Sequence, residues 1–219
     1  MADDEWTVVT KKSKIKPFKK SLKRDNDKVK PKDIQDKLPA IEPFISLISN
    51  EITSTKPDCV CYGIGSLSQK SSQYQLALLL LLQPCFEKIY IYDPIMTPNE
   101  IQYYNEIGLK VLDMFTDGKY KAVKPTVFYM PHCDNFLYEA VLEANFDNLH
   151  LINILGNSFQ TYNEMLIELP YPHLIKSFNL VTETKIEINV GTAFNNLSWH
   201  SFRNEMKGLE QALEKIELQ

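Results

Sequence analysis

The sequence lacks the marks of an exported or membrane-spanning protein. Four cysteines in 219 residues do not make a secreted disulfide framework, so Cys59, Cys61, Cys85 and Cys133 read as reduced thiols. The leucine-rich run Leu76 to Leu82 is far shorter than the ~20 apolar residues a bilayer span needs. Met1-Ala2-Asp3-Asp4-Glu5 opens acidic and no apolar core follows. A secretory leader is therefore not expected, which places the chain in the cytoplasm, the nucleus or both. No internal repeat is evident, and no Ser-His-Asp triad, carboxylate pair or full set of metal ligands can be assembled. Cys59 and Cys61 are spaced C-x-C and would need a second pair such as His132-Cys133. No further C-x-x-C or H-x-x-x-H spacing supports one, so no metal is assigned.

Basic charge is also missing from most of the chain. The net charge is -4, yet Lys11 through Lys32 holds eleven Lys or Arg against two acidic residues. The remainder is therefore clearly acidic. Residues 1–35 carry few large apolar side chains and read as a flexible basic tail that cannot bury enough surface to order itself. Such a tail is either a solubilising extension or functional. A functional tail would be an electrostatic arm for nucleic acid or acidic partners, or a nuclear-import patch around Lys11-Lys12 and Lys19 to Arg24. Residues 36–219, within a chain that is 44% hydrophobic, suffice for a single α/β domain.

What is present alternates between strands and helices. Ile41, Phe44, Ile45, Ile48 and Ile52 recur at helical steps, with Pro39 and Pro43 placing the firm part of that helix after Glu42. Cys59 to Tyr62 reads as a strand, followed by a helix opening near Ser72, whose Ser72-x-x-Gln75 spacing suits a capping box. Leucine all round its body implies burial. A second strand, Lys88 to Tyr92, leads to a helix with Thr97 as cap, Pro98 in the first turn and Glu100 closing the box. Val111-Leu112 is a short strand, and Thr116 to Lys124 a loop. The second half repeats the alternation: strand Thr126 to Met130, helix Asn135 to Ala144, strand Leu149 to Leu155, and a helix from about Phe159 to Glu168. This order predicts a Rossmann-like, mainly parallel sheet with helices on both faces. Ile186, Ile188 and Val190 alternate as an edge strand that Leu197 to Phe202 could pair, and Arg203 to Leu218 reads as a surface helix.

The strand into Gly63-Ile64-Gly65 is where a ligand question arises, because a parallel sheet can bring such a turn close to a bound nucleotide. Gly63, Gly65 and Ser68 approximate the dinucleotide fingerprint, with Asp93 as the ribose-binding acid. The 28 residues from Gly65 to Asp93 exceed the usual ~20. The same residues would serve a sheet that binds nothing, the glycines for close packing and Asp93 for a turn before Pro94. Ser66, Asp93, His132, Asn157 and Ser158 should all emerge at the carboxyl edge of the sheet, where α/β proteins bind ligands. His132 could be a ligand, a general base or a turn-stabilising group. Asp134 should cap the helix after it, and Ser158 could equally cap the next one. These residues would also suit a methyltransferase-like enzyme holding a nucleoside cofactor on Gly63, Gly65 and Asp93.

Several segments together carry a family resemblance: Cys61-Tyr62-Gly63-Ile64-Gly65-Ser66 with Gln75-Leu76-Ala77, then Tyr92-Asp93-Pro94, Pro125 to Cys133, Glu143-Ala144-Asn145, and Leu155-Gly156-Asn157-Ser158-Phe159. Over roughly residues 55–165 they resemble, in order, the motifs of the sensitivity-to-red-light-reduced family. The resemblance implies a regulatory protein acting with unidentified protein partners. Plant relatives are associated with light signalling and circadian clock input, animal relatives with clock-gene expression and regulation of haem biosynthesis. It carries over no cofactor and no catalytic residue. For haem, the chain offers Pro84-Cys85 in place of a Cys-Pro element, leaving His132 and Cys133 as candidate ligands.

Overall fold

The computed structural model describes residues 29–52, 56–112, 117–161 and 170–202. Seven strands form one sheet: β1 (Asp58–Tyr62), β2 (Ile89–Tyr92), β3 (Lys110–Val111), β4 (Thr126–Met130), β5 (Ile152–Asn157), β6 (Val181–Lys185) and β7 (Leu197–Phe202), in the order β3-β2-β1-β4-β5-β7-β6. The first five are parallel to one another, while β7 runs antiparallel to both β5 and β6. The Rossmann-like expectation is met. The strand order reverses between β1 and β4, the position at which such sheets open a crevice for ligands.

Both faces are covered, so the inner strands are buried at every position: Asp58 through Tyr62 and Thr126 through Met130. One face packs Cys59, Cys61, Val127, Tyr129, Leu155 and Trp199 against α1 (Pro31–Gln35), α2 (Leu38–Ile41), α3 (Ile45–Ser49), α4 (Lys70–Leu82) and α5 (Pro98–Glu106). The other packs Val60, Phe128, Met130, Ile154 and Phe202 against α6 (Asn135–Asn145) and α7 (Pro172–Ser177). Leucine surrounds α4 because the helix is sandwiched: the sheet lies on one side and α1, α2 and α3 on the other.

Five expectations need correction. The helix expected from Ile34 onward is three short helices with a 3-10 turn at Glu42–Phe44, since Pro39 and Pro43 each remove an amide donor. Its inward residues Ile41 and Ile48 are fully buried. The boundary of the tail at residue 35 falls too late, because α1 occupies Pro31–Gln35 and Ile34 is 2% exposed. Ser72 and Gln75 form no capping box: α4 starts at Lys70, and the buried Gln75 amide donates to the Ala193 carbonyl at 3.1 Å. The edge strand is Val181–Lys185 rather than 186–190, and Leu149–Leu151 belongs to a 3-10 segment preceding β5. Residues 1–28 of the tail, most of the Phe159 to Glu168 helix and the Arg203 to Leu218 helix lie outside the described residues.

Candidate functional site

Two polar clusters form at the carboxyl edge, one on each side of the switch point. Leaving β1, the chain takes positive φ at Gly63 (71°) and Gly65 (78°), which side-chain-bearing residues avoid. A Cβ on Gly63 would sit 2.7 Å from Cys133 Sγ. The first glycine therefore serves the approach of the segment after β4. The Gly65 amide donates to Asp93 Oδ2 at 2.8 Å, while Asp93 Oδ1 accepts from the Ile95 amide at 2.9 Å. Asp93 thus ties the glycine turn to the tip of β2.

Glu100 does a second tying. The capping box expected from Thr97 and Glu100 is present, with Thr97 N donating to Oε2 at 2.8 Å and Glu100 N donating to Thr97 Oγ1 at 3.2 Å. The other carboxylate oxygen accepts from the Leu67 amide at 2.7 Å and the Ser66 hydroxyl at 3.2 Å. Ser66 is thereby held on the underside of the loop. Sequence reasoning found Glu100 as a cap and missed this role, which depends on a residue 33 positions away.

On the far side of the switch point His132 sits at φ 60°. Its amide donates to Asn157 Oδ1 at 3.0 Å, and its Nε2 lies 2.9 Å from the Thr192 carbonyl. Asn157 Nδ2 donates to the Cys133 carbonyl at 3.3 Å, so Asn157 stitches the two strand ends together. The Ser158 amide donates to the Asn196 carbonyl at 2.7 Å, and its hydroxyl accepts from Thr161 N at 3.4 Å, as a cap does. Asp134 stands at the N-cap position of α6 but makes no side-chain cap bond. The sequence-selected residues therefore fall into two groups, Gly65, Ser66 and Asp93 in one and His132, Asn157 and Ser158 in the other. Gly63 and Cys133 pack between them.

Three of the four cysteines are shielded in the core. Cys59 and Cys61 lie in the core of one face and Cys133 in that of the other. Burial pushes all three thiols well above the usual range, helped for Cys59 by the charge of Asp58 and for Cys133 by that of Asp93. Cys133 Sγ donates to the Tyr62 carbonyl at 3.4 Å. Among the described residues, no three or more His, Cys, Asp or Glu side chains are grouped to hold a metal ion. Native protein treated with a thiol reagent at neutral pH should label at Cys85 alone, with the other three reacting only after denaturation. Mass spectrometry reads this directly, and rapid native labelling of Cys133 would contradict the packing.

A cavity of about 350 Å³ opens at the carboxyl ends of β2 and β3, lined by Tyr92, Asp93, Pro94, Met96, Ile101, Asn105, Val111 and Leu112. Of the residues singled out from sequence, Asp93 alone reaches it. Apart from Asn105 and the Tyr92 hydroxyl, the other wall residues are apolar, and nothing local in the sequence distinguishes those from core residues. No described helix is long and apolar enough to cross a membrane.

Comparison with known proteins extends the resemblance beyond residues 55–165. The SRR1 domain family matches residues 18–201. Protein SENSITIVITY TO RED LIGHT REDUCED 1 of Arabidopsis thaliana is 33% identical over 175 residues, covering 71% of this chain and 64% of that protein. An SRR1-like protein of Mus musculus is 36% identical over 130 residues, covering 54% and 52% respectively. One from Drosophila melanogaster is 29% identical over 157 residues, covering 67% and 55%. The matched part thus spans about half to two-thirds of these relatives. Among solved structures, a 23S rRNA methyltransferase, ErmE, aligns with a TM-score of 0.43 and 10% identity over 73% of this chain and 67% of that one. With its family motifs in order on a described α/β sheet, the chain belongs to the SRR1 domain family.

Proposed function

We propose that this chain is an intracellular regulatory protein acting in clock-gene expression and haem biosynthesis, and that it does so by binding a small ligand at the carboxyl edge of its sheet. The name of the Arabidopsis relative ties that protein to red-light sensitivity, which supports a signalling role. The observation that carries the ligand is the cavity beside Asp93, about 350 Å³ in volume and so within the ~300–1,000 Å³ usual for small-molecule sites. It lies at the carboxyl edge of the sheet, the edge at which parallel sheets bind ligands, and Asp93 on its wall is bonded to the glycine turn.

Ile101 is 37% exposed on the cavity wall, so a tryptophan there fills the opening without entering the core. Cells deleted for the gene should show altered rhythmic gene expression and haem output. Wild type should restore both, while Ile101→Trp should accumulate normally and restore neither. Full rescue by Ile101→Trp would remove the cavity from the mechanism. A second reading, a nucleoside-cofactor-dependent transferase, is favoured by the 2.8 Å bond between Gly65 and Asp93, which brings the glycine turn and the acid together as a nucleoside site requires. It predicts transfer of label from S-adenosylmethionine to a cellular acceptor by wild type alone.

A further inference from the structure

Resting on the ligand-site reading above, we infer that the cavity at β2 and β3 takes a phosphate-free nucleoside, neutral or cationic in its 5′ substituent, and rejects nucleotides and dinucleotides. The argument begins with the glycine turn. In a phosphate-binding loop the amides of such a turn point outward and grip the pyrophosphate, aided by the following helix N-terminus. Here three amides of the turn are already taken, two of them by carboxylates. The Gly65 amide is held by Asp93 at 2.8 Å and the Leu67 amide by Glu100 at 2.7 Å. The Ser68 amide turns inward to the Ser66 hydroxyl at 3.4 Å.

Asp93 and Glu100 are 8% and 4% exposed, so both carboxylates act at short range with little screening from solvent. A phosphate brought to this turn would find no free amide at Gly65, Leu67 or Ser68 and would face two buried negative charges. A neutral or positively charged group would be favoured in the same place.

The cavity itself supplies the rest of a nucleoside site. Each Asp93 oxygen accepts one amide bond, and a carboxylate oxygen has two lone pairs, so each keeps one acceptor for a ribose hydroxyl. Met96, Ile101, Val111 and Leu112 provide apolar walls for a flat heterocycle. The side-chain amide of Asn105, exposed at the same wall, offers both a donor and an acceptor for the edge of a base. At about 350 Å³ the space is at the small end of ligand sites. That suits a single nucleoside rather than a porphyrin or a dinucleotide.

The test is calorimetry on the full chain with adenosine, S-adenosylmethionine, ATP, NAD and haemin. Adenosine or S-adenosylmethionine should bind, with ATP and NAD at least about tenfold weaker, the equivalent of one contact of ~1.4 kcal/mol. Ile101→Trp and Asn105→Ala should each weaken the nucleoside by about tenfold or more. Both positions are exposed, so neither substitution disturbs folding, which circular dichroism would verify. Equal binding of ATP or NAD would overturn the charge argument. Haemin binding that Ile101→Trp abolishes, with no nucleoside bound, would overturn the ligand class and leave the cavity as a ligand site. Absence of binding by either nucleoside would also overturn the inference, while cellular rescue by Ile101→Trp judges the ligand-site reading separately.

Discussion

A Gly156→Val chain is expected to lose at least ~3 kcal/mol of stability, enough to leave little folded protein in a domain of ordinary marginal stability. Gly156 is the next-to-last residue of β5, and a Cβ there would stand 2.6 Å from Tyr138 Oη and 3.1 Å from the Met130 carbonyl. The hydroxyl is close because it is bonded on two sides. It donates to Met130 O at 2.7 Å and accepts from Asn157 N at 2.7 Å, so α6 clamps the carboxyl ends of β4 and β5. A valine displaces that hydroxyl, adds overpacking of ~1–3 kcal/mol, and takes from a buried carbonyl and amide their bonds to Tyr138, at ~1–3 kcal/mol each. Urea unfolding measures the loss. Tyr138→Phe isolates the hydrogen-bond part and should fall between Gly156→Val and wild type. A Gly156→Val midpoint within ~0.5 kcal/mol of wild type, the size of a harmless surface change, would mean the strands do not close on Tyr138.

The parallel half of the fold was legible because each of its signals is local. Thr97, Pro98 and Glu100 mark a helix start by chemistry that needs no tertiary context, and Val127 to Met130 is apolar throughout because both faces are covered. Misreadings came where tertiary packing imitates a period. Ile186 and Ile188 alternate like an edge strand, but both are buried in the cluster that includes Leu76, Ala193 and Phe194, outside any strand. The real edge strand Val-Thr-Glu-Thr-Lys has weak contrast between its faces, as its half-exposed burial shows. Ser72 and Gln75 have the spacing of a cap, yet Gln75 reaches a carbonyl 118 residues away. Long-range partners of this kind leave no trace in a window of ten residues.

The same division holds for the candidate site. Asp93 and the two glycines were legible as the punctuation of a strand-turn-helix unit, and their mutual bond follows from the pairing of Tyr62 with Tyr92. Met96, Ile101 and Leu112 were not, because an apolar residue lining a cavity and one filling a core look alike in sequence, and the exposed Asn105 looks like any other polar residue on a helix surface. His132 and Asn157 were expected to converge and do, but through the His132 backbone amide: Asn157 is buried, while the exposed His132 ring reaches the Thr192 carbonyl. Proximity at an edge is thus readable from topology; whether the polar groups remain available depends on partners that only the folded chain supplies.

Glu183→Gln is expected to remove about 2 kcal/mol of stability at pH 7 and to flatten the acid limb of the stability curve. In β6 the carboxylate accepts from the amides of Phe159 at 3.1 Å and Gln160 at 3.2 Å, holding the turn after β5 against the antiparallel end of the sheet. His200, in register with Glu183 on one side and Ile154 on the other, donates from Nδ1 to Ile154 O at 3.1 Å and turns Nε2 toward Glu183 at 3.7 Å. That distance is longer than an ordinary hydrogen bond. Burial raises the carboxyl pKa, but His200 with the Ser158 and Ser198 hydroxyls outweighs it and brings the group down to about 2. Because the folded value lies below the ordinary one of 4.5, the stabilisation is complete above about pH 4.5 and is lost as the pH falls toward 2. At 1.36 kcal/mol per pKa unit the full shift would exceed ~3 kcal/mol; partial solvent screening reduces it to about 2. Glutamine keeps an acceptor for both amides, so the variant isolates the charge. Urea titrations at pH 7, 4.5, 3 and 2 should show the difference between the two proteins shrinking to near zero at the lowest pH, the exposed acids of both chains cancelling. A difference that stays constant across that range would place the contribution of Glu183 in packing rather than in charge.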